Sequence, residues 1–408
     1  MKDTKTYCFG RFLIDLPKAA EVNGQAYEYI FGKIETERFP KGEAAFAQKM
    51  NQREEELKAG KHEEKFKLVD IRGVGSRDTR VFKLTKKLIT LSGFGFEAYR
   101  WNNGVLFSMQ QLSIGADGID SVLKDVETRL LPNLRHRRAG GGGHAEEIPT
   151  EPGFCIKDGF IADDGKTPQY EKAELNFRFK EWPDVTVVVN ATRSSRIKPS
   201  LLERRKEKPM PDVFAEMAKK IKTLRQGKHD VGPLQGEENI AALPTDDGYF
   251  VHRFVWDTQG TPDSATEPAI YFQFHTGVNP GVGARQIRPS LTDKQAIELF
   301  DAIVNSIRLR PTTPGKTSTA EPEPTGDNGT AKRLPLGTKV SSLRSCPESG
   351  VYECAPEAPG VTDRRVFVAQ GRPMPIATIM EPKRGVARFL GVDEPKEVET
   401  TWTLVSYE

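Results

Sequence analysis

Side chains able to do acid–base or metal chemistry are few in this sequence. The six histidines are His62, His136, His144, His229, His252 and His275. His62 stands in a Lys/Glu-rich stretch, His136 and His144 in a polar connecting segment, and His229 in a polar loop. Only His252 and His275, in neighbouring strand-like runs, form a pair able to face one another. A zinc hydrolase needs ligands at spacings such as His-Glu-x-x-His, and no such run exists. A serine esterase needs Gly-x-Ser-x-Gly, and Gly73-Val74-Gly75-Ser76 has the wrong order. Gly93-Phe94-Gly95-Phe96 and Gly281-Val282-Gly283-Ala284 carry two glycines each, without the third that a dinucleotide fingerprint requires. These absences point away from an enzyme, with no catalytic residue, metal or cofactor expected.

The cysteines are Cys8, Cys155, Cys346 and Cys354, and none forms a C-x-x-C pair. Cys8 and Cys155 lie in apolar settings and read as inert packing. Cys346 and Cys354 flank the turn-like Pro347-Glu348-Ser349-Gly350. A disulfide there would close a short loop and stabilise by about 2.6 kcal/mol on the loop-entropy argument. The alternative is two thiols.

Positioning elements occur twice. Tyr7-Cys8-Phe9-Gly10-Arg11-Phe12-Leu13-Ile14 opens one copy and Phe154-Cys155-Ile156-Lys157-Asp158-Gly159-Phe160-Ile161 another. Strand-like runs follow: Tyr27 to Ile34 in the first, with Tyr27, Tyr29 and Phe31 on one face, and Leu175, Phe177 and Phe179 alternating with polar residues in the second. Helical spacing is predicted over 43–58 and over 211–225, where Pro211 and Asp212 suit the first turn. Further strands are predicted over 87–92, 94–102, 105–113, 249–257 and 269–276, and Asn102-Asn103-Gly104 marks a tight hairpin. Amphipathic helices over 117–131 and 292–307 close the copies, each followed by arginines (Arg135 and Arg137, Arg308 and Arg310) that suit a helix C-terminus.

This repetition predicts an α+β protein of two related strand-rich domains, over 1–138 and 153–311, that arose by duplication. Gly140 to Gly143 sit in a connector over 139–152, which reads as flexible. The Pro/Thr/Gly/Ser-rich stretch 312–335 reads as a disordered tether, and 336–408 as a small β-rich module with strands over 365–369 and 401–405 and a turn over 371–375. A length of 408 residues suits this division, and 37% hydrophobic content suffices for real cores. Lys plus Arg total 60 against 57 Asp plus Glu, a net charge of +3, which gives no electrostatic case for nucleic acid. The longest apolar runs, such as Val185 to Val189, are too short to span a bilayer, so no integral membrane segment is expected. Met1 to Lys5 lead into a strand without an apolar leader. The chain is therefore expected in the cytoplasm, or in the periplasm if an export signal has been removed.

The run Cys8-Phe9-Gly10-Arg11-Phe12-Leu13-Ile14-Asp15-Leu16-Pro17, continued by Tyr27-Glu28-Tyr29-Ile30 and the two-copy layout, resembles the type VI secretion immunity proteins that neutralise lipase effectors, the Tli family. The resemblance covers residues 1 to about 311. It implies a two-domain clamp that binds a cognate lipase or phospholipase effector and keeps it closed, without cofactor or catalytic residues, often in the periplasm. The glycine connector would serve as its hinge. Arg193, Arg196, Trp256 and Asp257, at strand ends beside the loop Thr258 to Pro268, have the residue types that anchor interfaces. A non-catalytic envelope lipoprotein or ligand-binding scaffold is the alternative reading.

Overall fold

The computed structural model describes the chain except residues 1–2, 31, 61–65, 74–75, 88–91, 117, 139–145, 196–198, 208–218, 280–285, 314–332, 343, 345, 349, 355–364, 369–373, 375–376, 382–393, 399 and 408. The first half runs β1 (Thr4–Phe9), β2 (Phe12–Pro17), β3 (Ala20–Tyr29), β4 (Gly32–Arg38), α1 (Gly42–Lys58), β5 (Lys67–Arg72), β6 (Thr79–Lys87), β7 (Ser92–Asn102), β8 (Val105–Ile114), α2 (Ile119–Asp125) and β9 (Leu134–His136). The second runs β10 (Gly153–Ile156), β11 (Gly159–Ala162), β12 (Glu171–Phe179), β13 (Thr186–Arg193), α3 (Leu201–Glu207), β14 (Lys222–Lys228), β15 (Glu237–Pro244), β16 (Phe250–Asp257), β17 (Ala269–His275), α4 (Asp293–Val304) and β18 (Arg308–Leu309). Each half is two hairpins, a helix, a four-stranded meander, a helix and a closing strand. That shared order is the matching succession a duplication predicts.

Two compact units divide the chain differently from the repeat. One holds residues 1–38 and 133–315, the other 39–132 and 316–408. In the first unit β3 pairs antiparallel with β12, β12 with β13, and the sheet continues β17-β16-β15-β14. The faces of β12 and β13 alternate strictly, with Ala173, Leu175, Phe177, Val187, Val189 and Ala191 buried. On α4, Phe300 meets Phe254, Phe272 and Phe274 edge-on at centroid distances of 5.5 to 6.4 Å. Thr292 caps this helix reciprocally with Gln295, each side chain bonding the other's backbone N–H. In the second unit β5 to β8 form an antiparallel meander, on which α1 buries Phe46, Met50 and Leu57 against Phe82, Leu84 and Leu106. Asn103 and Gly104 take positive φ, as the β7–β8 hairpin requires. The helix predicted over 117–131 begins as α2 and widens into a π-helical turn over Val126–Leu130.

The closing strands are exchanged. β9 of the first half pairs with β11 of the second, and β18 of the second pairs with β2 of the first. The two opening hairpins also meet: Gly10 and Cys155 exchange backbone hydrogen bonds of 3.0 and 2.7 Å, and a disulfide joins Cys8 to Cys155. Inert packing was therefore the wrong reading of these two cysteines. Arg137 and Arg310 do not complement helix ends either. Arg137 donates to the Gly159 and Ile156 carbonyls at 3.1 and 3.0 Å. Arg310 donates to the Glu151 and Gly153 carbonyls, both at 2.8 Å. Both fasten the second hairpin from opposite ends of the repeat. Burial depresses the Arg310 guanidinium to about 10, against the opposing charge of nearby Glu151.

Other expectations need correction. The run from Tyr27 to Ile34 is two strands, because the chain turns at Ile30, which has φ 59°; Phe31 lies outside the described residues. Leu224, assigned to a helix over 211–225, lies in β14, while Pro211, Phe214 and Met217 are outside the described residues. So are Gly140 to Gly143. Elsewhere, disulfide, exchanged strands and β3–β12 pairing tie the halves together.

The last module carries β19 (Lys339–Ser341), β20 (Gly350–Cys354), β21 (Arg365–Val368), β22 (Ala377–Glu381), β23 (Glu394–Val398) and β24 (Thr401–Ser406). Four of them form a sheet in the order β19-β24-β20-β21. Cys346 and Cys354 are both buried thiols in its core, with Tyr352, Val366, Trp402 and Leu404. Of the two alternatives, bridge or thiols, the second holds, and the Cys346 sulfur donates toward the Glu348 and Val368 carbonyls, 3.0 and 3.4 Å away. Of the turn predicted over 371–375, only Met374 is described.

Candidate partner interface

The loops at one end of the second half enclose a polar groove of about 630 Å³, lined among others by Leu201, Asp230, Gln235, Gln259, Thr261 and Glu267. Two of the four residues singled out from sequence, Arg193 and Trp256, are buried and do not line it. Arg193 ends β13 in phase with Val187, Val189 and Ala191, so its side chain enters the interior. There it donates to the Asp263 carbonyl at 2.8 Å, to Glu171 Oε1 at 3.1 Å and to the Lys166 carbonyl at 3.2 Å. The first of these bonds holds the loop Thr258 to Pro268 from below, and the Asp263 N–H donates to the Ser194 carbonyl at 2.9 Å. Trp256 is fully buried. Its indole N–H donates to the His229 carbonyl at 2.7 Å, and a Cβ on Gly236 would come within 2.5 Å of the indole nitrogen. Asp257 accepts from Arg204 of α3 at 2.6 Å. Arg193 and Trp256 are both buried, and they spend their polar atoms on loop backbone and carboxylate inside the fold. Asp257 reaches the groove wall, and Arg196 lies outside the described residues.

Glu171 also belongs to a buried ion cluster. Arg11, from the turn of the first hairpin, donates to Glu171 at 2.8 Å and to Asp163 at 3.0 Å. Asp163 takes a further bond from the Tyr29 hydroxyl at 2.9 Å, and Glu171 one from Gln169 at 2.8 Å. Burial works against the Arg11 charge, but Glu171 and Asp163 outweigh it and raise the guanidinium pKa. Burial likewise raises the Tyr29 phenol, with Asp163 adding to it.

Two histidines carry carboxylate partners that spacing did not reveal. His229 Nδ1 lies 2.6 Å from Glu238, and Nε2 lies 3.0 Å from Asn305. Glu238 and Asp301 come close enough to His229 to suggest a metal-binding triad. Arg225, however, bonds both carboxylates at 3.0 Å, so a guanidinium already supplies the cation. His252 bonds Thr276 at 2.8 Å and Asp293 at 3.0 Å. It does not face His275, whose register partner on β16 is Arg253.

Profiles of one family cover both halves in order. The N-terminal domain of Tle cognate immunity protein 4 matches residues 5–120 and the C-terminal domain matches 147–312. The chain belongs to this family. Three solved structures resemble it. Apo TplEi, an immunity protein of the type VI secretion system from Pseudomonas aeruginosa, is 29% identical over 76% of this chain and 98% of its own, with a TM-score of 0.62. The Tle4–Tli4 complex contains a chain 28% identical over 76% of this chain and 98% of its own, at TM-score 0.63. TplEi bound to "L" peptide is 28% identical over 76% of this chain and 99% of its own, at 0.59. No curated protein matches. The module after residue 312 falls outside both family profiles.

Proposed function

We propose that this chain is an immunity protein that binds a type VI secretion lipase of the Tle class and holds it inactive, without catalysing a reaction itself. The observation that carries this reading is the ordered match of both Tli4 domains to the two halves, together with the likeness to the Tli4 of a solved Tle4–Tli4 complex. The match over 5–120 and 147–312 supports the reading as a two-domain inhibitor, over 1–138 and 153–311. Its place of action is the periplasm. The Cys8–Cys155 disulfide supports that, since such bonds persist in oxidising compartments. No helix among the described residues is long and apolar enough to cross a membrane. The test is survival of cells that export the cognate lipase to the periplasm, with and without this chain, alongside binding of the two purified proteins. Protection with direct binding is expected. Purified chain that leaves the lipase unbound and active refutes the reading.

A further inference from the structure

The corresponding hairpins of the two halves differ in one respect. β12 and β13 pair over eight positions, from Glu171↔Arg193 to Arg178↔Thr186. β3 and β4 pair over only three, Tyr27↔Ile34, Glu28↔Lys33 and Tyr29↔Gly32. Continuing that register would set Gln25 opposite Thr36 and Asn23 opposite Arg38, but the strands part. β3 nevertheless remains a strand back to Ala20, because β12 holds its other edge as far as Phe179↔Ala20. Among the described residues, the edge of β3 over 20–26 that faces the parting has no strand against it. Two cavities of about 610 and 430 Å³ occupy the parting, each walled by β3, by β4 and by Lys157.

Two independent features indicate an occupant. The Thr36 hydroxyl, on the β4 wall, is buried without a hydrogen-bond partner, a state that buried polar groups rarely keep. The wall charge is also one-sided. Glu21 is paired with Lys180 at 2.7 Å and Glu146 with Arg137 at 2.5 Å. Lys5, Arg38 and Lys157 have no ion pair among the described residues, and Asp158 is the one unpaired carboxylate against them.

We propose that the parting between β3 and β4 receives an extended, acidic segment of the partner lipase, which adds to the edge of β3 as a further strand. The proposal rests on the immunity reading above. Main-chain hydrogen bonds along β3 would supply affinity, while Lys157 and Arg38 select acidic side chains at alternate positions. A polar group on the segment would satisfy Thr36.

Hydrogen exchange on the intact chain, with and without the purified lipase against which it protects, tests this. Amides over 20–26 should slow on binding. The double variant Arg38→Glu/Lys157→Glu should bind at least tenfold more weakly, and its affinity should depend less on salt. Lys294→Glu, an equally exposed reversal on α4, should bind as the parent does. Tight binding that leaves 20–26 unprotected overturns the proposal, as does full affinity in the double variant with an unchanged melting temperature. Protection that grows with concentration in the chain alone would make the occupant a second copy and overturn the lipase assignment. Failure of the parent chain to bind the lipase at all is seen before any exchange is measured, and it overturns the immunity reading first.

Discussion

Burial of single polar side chains makes measurable commitments. His275 is pushed down to about 4 by burial, with the charge of Arg253 across the strand pair adding to it. Unfolded, the ring titrates near its ordinary 6.5. Between those values the unfolded chain takes up a proton that the folded chain refuses, so stability falls with pH. The His275 contribution is complete above pH 6.5 and is lost as pH drops toward 4, an effect of about 3 kcal/mol at most. Urea denaturation at pH 7 and pH 5 should show this loss in the parent and much less of it in His275→Gln; equal losses would refute the assignment. Arg193→Leu should cost about 3 kcal/mol, the range for breaking a buried ion pair. It should also loosen the loop Thr258 to Pro268, which hydrogen exchange reports. Much of this was legible: alternation along β13 places Arg193 in the same phase as Val187 and Val189. Residue type alone suggested a surface anchor, while strand phase already pointed inward. The carboxylate that receives Arg11 was not legible, because it lies 160 residues away in sequence, whereas the one that receives Arg193 is its register partner across the β12–β13 hairpin.

Elements whose signals are local were readable in proportion to those signals. The helix over 43–58, the hairpin at Asn103 and the helix after Thr292 rest on spacing and turn chemistry within a few residues, and all three form. The closing helix should lose about 1 kcal/mol of stability on Thr292→Ala, since the cap oxygen serves the Gln295 N–H. A thermal melt checks this, and no change in melting temperature would mean the box contributes nothing. Elements set by long-range pairing were misread. Leu224 follows apolar residues at helical spacing, yet β15 recruits 222–228 into the sheet. Tyr27 to Ile34 alternates like one strand, and only the left-handed backbone at Ile30 breaks it. The arginines after the closing helices look like helix-end cations, but the carbonyl partners of Arg137 and Arg310 alike belong to the second half's opening hairpin or its approach.

For the whole molecule, one covalent bond ties the repeat together. A bridge between residues 147 apart removes about 5 kcal/mol of chain entropy from the unfolded state, taken as an upper figure. Cys8→Ser/Cys155→Ser should lower the denaturation midpoint accordingly, and added reductant should bring the parent down to the same value; a parent indifferent to reductant would refute it. Sequence could not show this pairing, because nothing in the spacing of four cysteines favours a partner 147 residues away over one eight residues away. The repeated order of elements was legible from the paired openings, whereas the exchange of closing strands was not. That exchange governs how the protein can be made. As the nascent chain leaves the ribosome, the hairpin β1–β2 emerges first and lacks its third strand until Arg308 and Leu309 arrive, some three hundred residues later. The first half can dock its sheet only once β12 has been synthesised. A polypeptide stopped at residue 138 should accordingly be an incomplete object, open to proteolysis rather than a smaller inhibitor. Supplying the missing half as a separate chain should restore it, as two interlocked subunits would.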